Sequence, residues 1–398
     1  MIQKYQDLAN RLINAPLSSF KLTNIEKLSM INLYSKKLFG GKIRIPNVVV
    51  AGTKGKGSTC SVCDSVIQTS GLKTCLFTSP HLVTPRERMK INGIPITEKE
   101  YVDLYEELSL KLKDNQLPMP PFFAIHALMA GLLFHHKQAD VGIIECGVGG
   151  RYDWTKIFDP TVAVITHLEY DHLETLGNTP YSISWHKFGI CTENSKNLTV
   201  PQSKLFQKAL DQLSEDANLR IRTVSPFWIG KTGILGPCHE ENTALGVAAA
   251  TELLKSMNKR NYDISKGARN ASIHGRFQTI NLDGIQWMLD GAHTAESIKY
   301  CTKWYESSHN NSENDILLCA TTKTRDPNVL LAPLTQKKWK KILFVEWFNN
   351  MKMKGATGIR TLKEAIKIAK ESKPHSILVT GSLHLVGDTL RDFGFDVQ

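Results

Sequence analysis

The sequence predicts an α/β protein with two domains, a larger one built on a parallel sheet and a smaller Rossmann-like one at the C-terminal end. Three observations predict this. Short apolar runs alternate with helical stretches, a glycine-rich turn follows the first run, and a second alternation begins after residue 272. Because single cores rarely grow beyond roughly 250–300 residues, we divide the 398 residues into domains at 1–272 and 273–398.

The elements of the first domain follow from its apolar runs. Residues 1–18 lack the long apolar stretch and cleavage site of a signal peptide, so they predict an ordinary helix. Continuous apolar runs predict strands buried on both faces, as in a parallel sheet, at 48–51, 73–78, 141–145 and 161–166. The pattern weakens into polar, turn-rich sequence over 187–237. An alanine-rich helix is expected at 242–257 and a linker near 259–272.

The second domain repeats the alternation on a smaller scale. Its apolar runs predict strands at 287–289, 316–320, 342–347 and 377–380. Helices are expected from Thr294 and at 362–371, where apolar residues share one face. The sequence has no repeat of fixed period and no low-complexity segment, which excludes a solenoid and a disordered chain.

Composition and charge narrow the class of protein. The hydrophobic fraction of 41% and charged fraction of 22% are ordinary for a globular protein, and no apolar run reaches the roughly 18 residues that span a bilayer. We therefore expect no membrane partner. The net charge of +11 suits either nucleic acid or a polyanionic small substrate. The lysines concentrate at 337–341 and 363–373, and a solvated helix face explains the second group, so we expect no nucleic-acid partner.

The cysteines indicate a reducing compartment. Eight of them lie at irregular spacing in a chain without a signal peptide, which predicts free thiols and a cytoplasmic location, with a mitochondrial form left open. Cys60 and Cys63 form a C-x-x-C pair, but no second pair at zinc spacing accompanies them. Buried packing is therefore the better interpretation of this pair.

A glycine-spaced turn that carries a lysine follows the first strand. Its glycines let the backbone turn so that N–H groups point inward, and Lys56 adds a cation at a helix N-terminus. Such a loop suits the polyphosphate of ATP. Gly57 separates Lys56 from the next hydroxyls, which departs from the general P-loop spacing and disfavours a generic nucleotidase. The predicted ATP-binding residues of the loop are Gly52, Thr53, Lys54, Gly55, Lys56, Gly57, Ser58 and Thr59.

Polar residues follow other predicted strands, where ligands gather in open parallel sheets. Ser79, Glu145 and His172 are candidates for a divalent cation site, although a helix cap, a strand-end ion pair and a surface histidine explain them as well. In the second domain Asp290 and His293 follow a strand. They suit a ribose hydroxyl and a phosphate, or helix capping alone.

Five segments of the sequence match a known family in collinear order. They are 52–59, Thr78-Ser-Pro-His-Leu82 with Arg86-Glu-Arg88, Glu145-Cys-Gly-Val-Gly-Gly150, Leu289-Asp-Gly-Ala-His-Thr294 and Thr380-Gly-Ser-Leu-His-Leu-Val-Gly387. With them the chain resembles folylpolyglutamate synthases, in the Mur-ligase-like superfamily of ATP-dependent amide-forming ligases. The resemblance implies a P-loop ATPase domain followed by a Rossmann-like domain.

The resemblance also implies roles for individual residues. ATP would be contacted by Asn242, Arg276, Asp290 and His293, in addition to the phosphate loop. Magnesium would be held by Ser79, Glu145 and His172. A second magnesium would need a carbamylated Lys187, because an ammonium group offers only donors. Catalytic roles would fall to Lys56, His172 and Lys187. The folate would border Pro80, His81, Arg86 and Arg88, and L-glutamate would lie near Ser382 and His384.

The implied reaction adds L-glutamate to the γ-carboxyl group of tetrahydrofolate or its polyglutamates through an acyl phosphate, in a monomeric enzyme. Two alternatives stay open: a dihydrofolate synthase or bifunctional enzyme that uses dihydropteroate, and a basic binding protein without turnover. Lys54 favours the first interpretation, because dihydropteroate-using members tend to have asparagine there. The chain departs from the family pattern at Lys156, at 167–170 and at Phe188.

Overall fold

The protein divides into two compact units. The computed structural model describes residues 2–14, 22–136, 138–227, 230–236, 238–308, 313–322, 325–347 and 352–395. The first unit comprises Met1–His81, Pro85–Ile234 and Cys238–Ser272. The second comprises Leu82–Thr84, Leu235–Pro237 and Ile273–Gln398. Residues 15–18 of the first predicted helix lie outside the described residues.

A mixed sheet forms the centre of the first unit. Within the described residues its strands are β1 (Asn47–Ala51), β2 (Thr74–Phe77), β3 (Met89–Ile91), β4 (Ile94–Pro95), β5 (Val141–Glu145), β6 (Val162–Ile165), β7 (Lys196–Thr199) and β8 (Ile221–Thr223). Their order is β4-β3-β2-β5-β1-β6-β7-β8, in which β3 is antiparallel to both β2 and β4 and the other pairs are parallel. The four predicted strands are confirmed as β1, β2, β5 and β6, which are fully buried.

Helices cover both faces of this sheet. They are α1 (Ile2–Ile13), α2 (Asn24–Phe39), α3 (Lys56–Gln68), α4 (Glu98–Asp114), α5 (Phe122–His136), α6 (Leu173–Leu176), α7 (Pro180–Phe188), α8 (Lys204–Asp216), α9 (His239–Ser256) and α10 (Ile264–Asn270). Helix α5 is apolar on nearly every side because it is buried in the core. Helix α9 packs closely on α3: a Cβ at Gly246 would lie 2.8 Å from the carbonyl oxygen of Thr59.

Three segments of the first unit differ from the sequence prediction. The stretch 187–237 is not only turns: it contains helix α8 and the strands β7 and β8, which extend the sheet. The sequence does not predict β7 and β8 because they are short and carry polar residues. The predicted linker at 259–272 contains α10, whose start is capped by Asp263 accepting from the N–H of Lys266. Strands β3 and β4 form a hairpin over Asn92 and Gly93, which both have positive φ.

The second unit has its own sheet and core. Within the described residues its strands are β9 (Gln278–Leu282), β10 (Ile285–Leu289), β11 (Ile316–Cys319), β12 (Lys341–Val345), β13 (Thr357–Ile359) and β14 (Ser376–Thr380). The order is β13-β12-β11-β14-β10-β9, with only β9 antiparallel to its neighbour. Its helices are α11 (Ala295–Ser308), α12 (Pro327–Leu330), α13 (Ala332–Thr335), α14 (Leu362–Glu371) and α15 (Leu383–Asp392). The four predicted strands and both predicted helices are confirmed.

The strand order positions the candidate site. Strands β2, β5, β1 and β6 are parallel neighbours, with Val50 paired to Glu145 and Ala51 to Ile165. Their carboxyl ends therefore meet at one edge of the sheet, where ligands gather in such folds. The phosphate loop, Ser79 and Glu145 all lie at this edge. Within the described ranges, no helix is long and apolar enough to cross a membrane.

Candidate active site

The phosphate loop requires glycine at two positions. Gly52 has a φ of +148° and Gly55 a φ of +87°, so both adopt backbone that other residues rarely enter. A Cβ at Gly52 would lie 1.8 Å from Oγ1 of Thr166, and a Cβ at Gly55 would lie 2.0 Å from Oδ1 of Asn242. Asn242, predicted from sequence as a nucleotide contact, is thus packed against the loop. Helix α3 begins at Lys56, which places the positive end of its dipole here.

The first residues of the loop are clamped by the chain that follows β6. The N–H groups of Thr53 and Lys54 donate to the carbonyl oxygen of His167 at 2.9 and 3.2 Å. Oγ1 of Thr53 accepts from the N–H of Glu169 at 3.1 Å and donates to the Glu169 carbonyl at 3.2 Å. These donors shape the loop and do not face a phosphate. The segment 167–170, in which the chain departs from the family pattern, is therefore a structural partner of the loop.

Two lysines converge on one carbonyl oxygen. Nζ of Lys187 donates to the carbonyl of Gly52 at 2.7 Å, and Nζ of Lys56 donates to the same oxygen at 3.3 Å. Lys187 is only 2% exposed. Burial, and then the nearby charge of Lys56, lower the pKa of Lys187 to about 7. Because two cations and a helix N-terminus share this point, an anion would be stabilised there.

Helix α7, which carries Lys187, is held at its C-terminal end by two basic residues. The guanidinium of Arg151 lies 4.1 Å from the ring centroid of Trp185, and its Nε donates to the Trp185 carbonyl at 3.2 Å. Nζ of Lys156 donates to the carbonyl of Gly189 at 2.8 Å. Phe188 is buried in the hydrophobic core of the first unit. The departures at Lys156 and Phe188 therefore serve to fix the helix.

Of the three predicted metal ligands, two, Ser79 and Glu145, are in contact in the structure. The N–H of Ser79 donates to Oε2 of Glu145 at 2.9 Å, and Glu145 is only 4% exposed. His172 lies at the surface with a φ of +51°, and its Nε2 is 3.8 Å from Oδ2 of Asp171. Among the residues that the structure describes, no three His, Cys, Asp or Glu side chains are grouped as a metal site. The oxygen ligands of Ser79 and Glu145 suit magnesium.

The predicted folate-side residues belong to a network that the sequence does not reveal. Nε of Arg88 donates to Nδ1 of His81 at 3.0 Å, and the guanidinium lies 5.1 Å from the ring centroid of Phe122. Nη1 of Arg86 donates to the carbonyl of Ile96 at 3.0 Å, while Pro80 is exposed. Sequence reasoning misses Phe122 because an aromatic residue that opens an apolar helix is usually core. The ring of Phe122 also contacts the ring of the buried His126, whose Nε2 lies 2.8 Å from the hydroxyl of the buried Tyr101.

The second unit holds the remaining predicted residues. Both carboxylate oxygens of the buried Asp290 accept backbone N–H groups, from Phe277 and from Ala292, at 2.9 Å each. Burial raises the pKa of Asp290, and the charge of Arg276 opposes the rise. Nδ1 of His293 lies 2.8 Å from the carbonyl of Gly291, so this nitrogen carries the proton. The predicted glutamate-side residues share the start of α15, where Ser382 is buried and His384 exposed.

Comparisons with known proteins place the chain in a family. No family model matches it. It is 31% identical to a probable folylpolyglutamate synthase of Schizosaccharomyces pombe, over 86% of this chain and 83% of that protein. It is 29% identical to a folylpolyglutamate synthase of Arabidopsis thaliana, over 87% of this chain and 80% of that protein. The human mitochondrial folylpolyglutamate synthase is 31% identical over 72% of this chain, which spans 56% of that longer protein.

A solved structure shows the same fold. The Mycobacterium tuberculosis folylpolyglutamate synthase complexed with ADP and AMPPCP superposes with a TM-score of 0.80 over 100% of both chains, at 20% identity. The sequence relatives supply the family, because more than two thirds of a relative is matched at above 30% identity. The chain therefore belongs to the folylpolyglutamate synthase family of ATP-dependent ligases.

Proposed function

We propose that this protein uses ATP to add L-glutamate to the γ-carboxyl group of tetrahydrofolate and of its polyglutamates, with release of ADP and phosphate. The observation that carries the proposal is the position of Lys56, whose Nζ lies 3.3 Å from the carbonyl oxygen of Gly52 at the N-terminus of α3. These positive groups favour a polyanion at this point. For a chain of this family, the polyanion is the triphosphate of ATP.

The chemistry follows from the poor reactivity of a carboxylate. Its leaving group would be oxide, so a direct attack by an amine is unfavourable. ATP therefore first transfers its terminal phosphoryl group to the γ-carboxyl oxygen, which gives an acyl phosphate and leaves ADP. The amine of glutamate then attacks the acyl carbon, and phosphate leaves as the amide forms. Lys56 stabilises the negative charge on the transferring phosphoryl oxygens. The N–H groups at the start of α3 orient the phosphates.

Magnesium is proposed as the cofactor of this transfer, and when bound it neutralises phosphate charge. The hydroxyl of Ser79 and the carboxylate of Glu145 would hold it, with His172 as a further predicted ligand. The hydrogen bond from the Ser79 N–H already fixes the direction of the Glu145 carboxylate. The buried position of Glu145 supports a strong interaction with a cation, because the local dielectric is low.

Carbamylation of Lys187 is proposed on chemical grounds. Only the neutral amine reacts with carbon dioxide, and a pKa of about 7 makes a large share of Lys187 neutral near pH 7. The reaction forms an N–C bond, releases one proton and leaves a carboxylate on the side chain. This would replace a cation beside Lys56 with an anionic ligand for a second magnesium ion.

The proposal predicts strict substrate requirements. Release of phosphate from ATP should need both a folate and L-glutamate, and Lys56→Ala should abolish it. Full activity in that variant would contradict the phosphate-loop assignment. Mass spectrometry after parallel incubation with dihydropteroate and with tetrahydrofolate identifies the acceptor: products from tetrahydrofolate alone support the proposal. Products from dihydropteroate would establish a dihydrofolate synthase or bifunctional enzyme.

The oligomeric state, the location and the partners of the enzyme are also proposed. We infer a monomer in the cytoplasm, without nucleic-acid or membrane partners, that draws its small-molecule substrates from solution. Its basic charge of +11 favours the approach of ATP and of anionic polyglutamates. Sedimentation of the purified protein at several concentrations tests the monomer, and a mass that grows with concentration would contradict it.

A further inference from the structure

Gln202 makes three hydrogen bonds at the carboxyl ends of β6 and β7. Its Oε1 accepts from the N–H of Leu168 at 2.9 Å, and its Nε2 donates to the carbonyl oxygen of Thr166 at 3.1 Å. Nε2 also donates to Oγ1 of Thr199 at 3.2 Å. A peptide N–H only donates and a carbonyl only accepts, so these partners fix which end of the amide is oxygen. Both hydrogens of the Gln202 amide are therefore used within the protein.

The side chain of Gln202 takes the place of a strand partner. Strand β7 pairs with β6 and ends at Thr199, two residues before Pro201. Proline has no N–H, so the backbone cannot continue the ladder at that residue. A primary amide offers the same donor and acceptor as a peptide group. Gln202 thereby extends the pairing of β6 beyond the end of β7, to Thr166 and Leu168.

The segment 166–168 holds the phosphate loop with its opposite edge. The carbonyl oxygen of His167 lies between the two peptide groups that Gln202 binds, and it accepts from the N–H groups of Thr53 and Lys54. Successive peptide groups of an extended chain point to opposite edges. One edge of the segment therefore faces Gln202, and the other faces the phosphate loop.

Close packing couples this segment to the lysine of the loop. Thr166 is fully buried, and a Cβ on Gly52 would lie only 1.8 Å from its Oγ1. The carbonyl oxygen of Gly52 in turn accepts from Nζ of Lys56 at 3.3 Å. Because close-packed interiors transmit displacements, a shift of Thr166 would also shift the groups that orient Lys56.

We propose that Gln202 is a positioning residue for ATP: its amide holds the segment 166–168, and that segment holds the phosphate loop in the shape that receives the nucleotide. The inference rests on the proposed function for the identity of the ligand. Gln202 has no donor left for the nucleotide, since both hydrogens of its amide are bonded to Thr166 and Thr199. Its effect on ATP passes through the carbonyl of His167.

Amide hydrogen exchange tests this chain of contacts without a ligand. Gln202→Met keeps much of the side-chain length but removes the donor and the acceptor. A purely local role would speed exchange at Leu168 alone, whereas we expect exchange at Thr53 and Lys54 to rise by about fivefold as well, the factor of one hydrogen bond. Gln207→Met is the matched control, because the side chain of Gln207 bonds within α8 and should leave these amides unchanged. Unchanged exchange at Thr53 and Lys54 in Gln202→Met would refute the proposal.

Gln202→Glu provides a second test, which depends on pH. A neutral carboxylic acid has a donor and an acceptor, as the amide does, whereas a carboxylate has only acceptors and would face the carbonyl oxygen of Thr166. Partial burial beside a carbonyl raises the pKa of the introduced carboxyl group above its ordinary range. We therefore expect the Kd for the ATP analogue AMPPCP, relative to wild type, to be about tenfold higher at about pH 8 and to return towards the wild-type value at about pH 5.

Gln202→Met cannot regain the donor, so its Kd relative to wild type should stay raised at both pH values. The titratable side chains beside the segment, His167 and Glu169, are present in every variant, so their own titration cancels in this ratio. Wild-type affinity of Gln202→Glu at the higher pH, or a deficit that does not shrink at the lower pH, would overturn the inference. If Gln202→Met does not fold, Gln202→Glu at the two pH values still decides the question. Wild-type protein that does not bind AMPPCP would contradict the proposed function instead.

Discussion

Gly55, at the start of the phosphate-loop helix, is the position where the structure predicts a substitution's effect most sharply. Left-handed backbone costs about 1–2 kcal/mol for a residue with a Cβ, and alanine recovers about 0.4–1 kcal/mol by restricting the unfolded chain. The added Cβ would also lie 2.0 Å from Oδ1 of Asn242, and such overpacking costs about 1–3 kcal/mol. We therefore expect Gly55→Ala to lower the free energy of unfolding by about 1–5 kcal/mol.

Two further variants separate these contributions in urea unfolding experiments. Gly71 has a similar φ of +79°, but no atom lies within 4 Å of the position that a Cβ would take, so Gly71→Ala should cost no more than about 1.6 kcal/mol. Asn242→Ala removes the obstructing side chain, so the double variant with Gly55→Ala should be more stable than additivity predicts. Equal losses at Gly55 and Gly71, or strict additivity with Asn242→Ala, would refute the reasoning.

Three other predictions concern the clamp, the buried amine and the second unit. Thr53→Val removes both hydrogen bonds between its hydroxyl and the backbone of Glu169 and should speed amide hydrogen exchange in the segment 167–170, whereas Thr53→Ser should not. Equal exchange in the two variants would contradict a structural role of these bonds. Lys187 has a folded pKa of about 7 against an ordinary 10.5, so the unfolded chain binds more protons between these values. Unfolding free energy should therefore rise with pH from 7 to 10.5, and Lys187→Met should flatten that rise in urea titrations at each pH. Tyr305→Phe leaves the buried Asp315 without its hydroxyl donor at 2.5 Å and should lower the midpoint of thermal unfolding, with a loss of about 1.5–3 kcal/mol, whereas the more exposed Tyr300→Phe should have little effect.

The sequence predicts those parts of the site whose chemistry is local. Gly52, Gly55 and Lys56 lie within five residues of one another and follow a continuous apolar strand, so spacing alone identifies the loop. The parallel strands β1, β2, β5 and β6 are equally visible because burial on both faces leaves no polar alternation. Edge elements are harder to predict. Strand β8 consists of Ile-Arg-Thr, and none of its residues is fully buried. Three residues are too few for hydrophobic periodicity to distinguish a strand from a loop.

The contacts that complete the site depend on register between distant segments, which periodicity does not encode. Lys187 reaches the Gly52 carbonyl across 135 residues of sequence, and it does so because β6 pairs beside β1 and α7 returns over that edge. The same pairing brings His167 to the N–H groups of Thr53 and Lys54. The single hydrogen of each of these N–H groups is used within the protein, whereas the Lys56 ammonium has three donors and uses two of them, on the carbonyl oxygens of Gly52 and Thr53. It follows that the phosphates depend on Lys56 and the N–H groups of α3, while the start of the loop is structural.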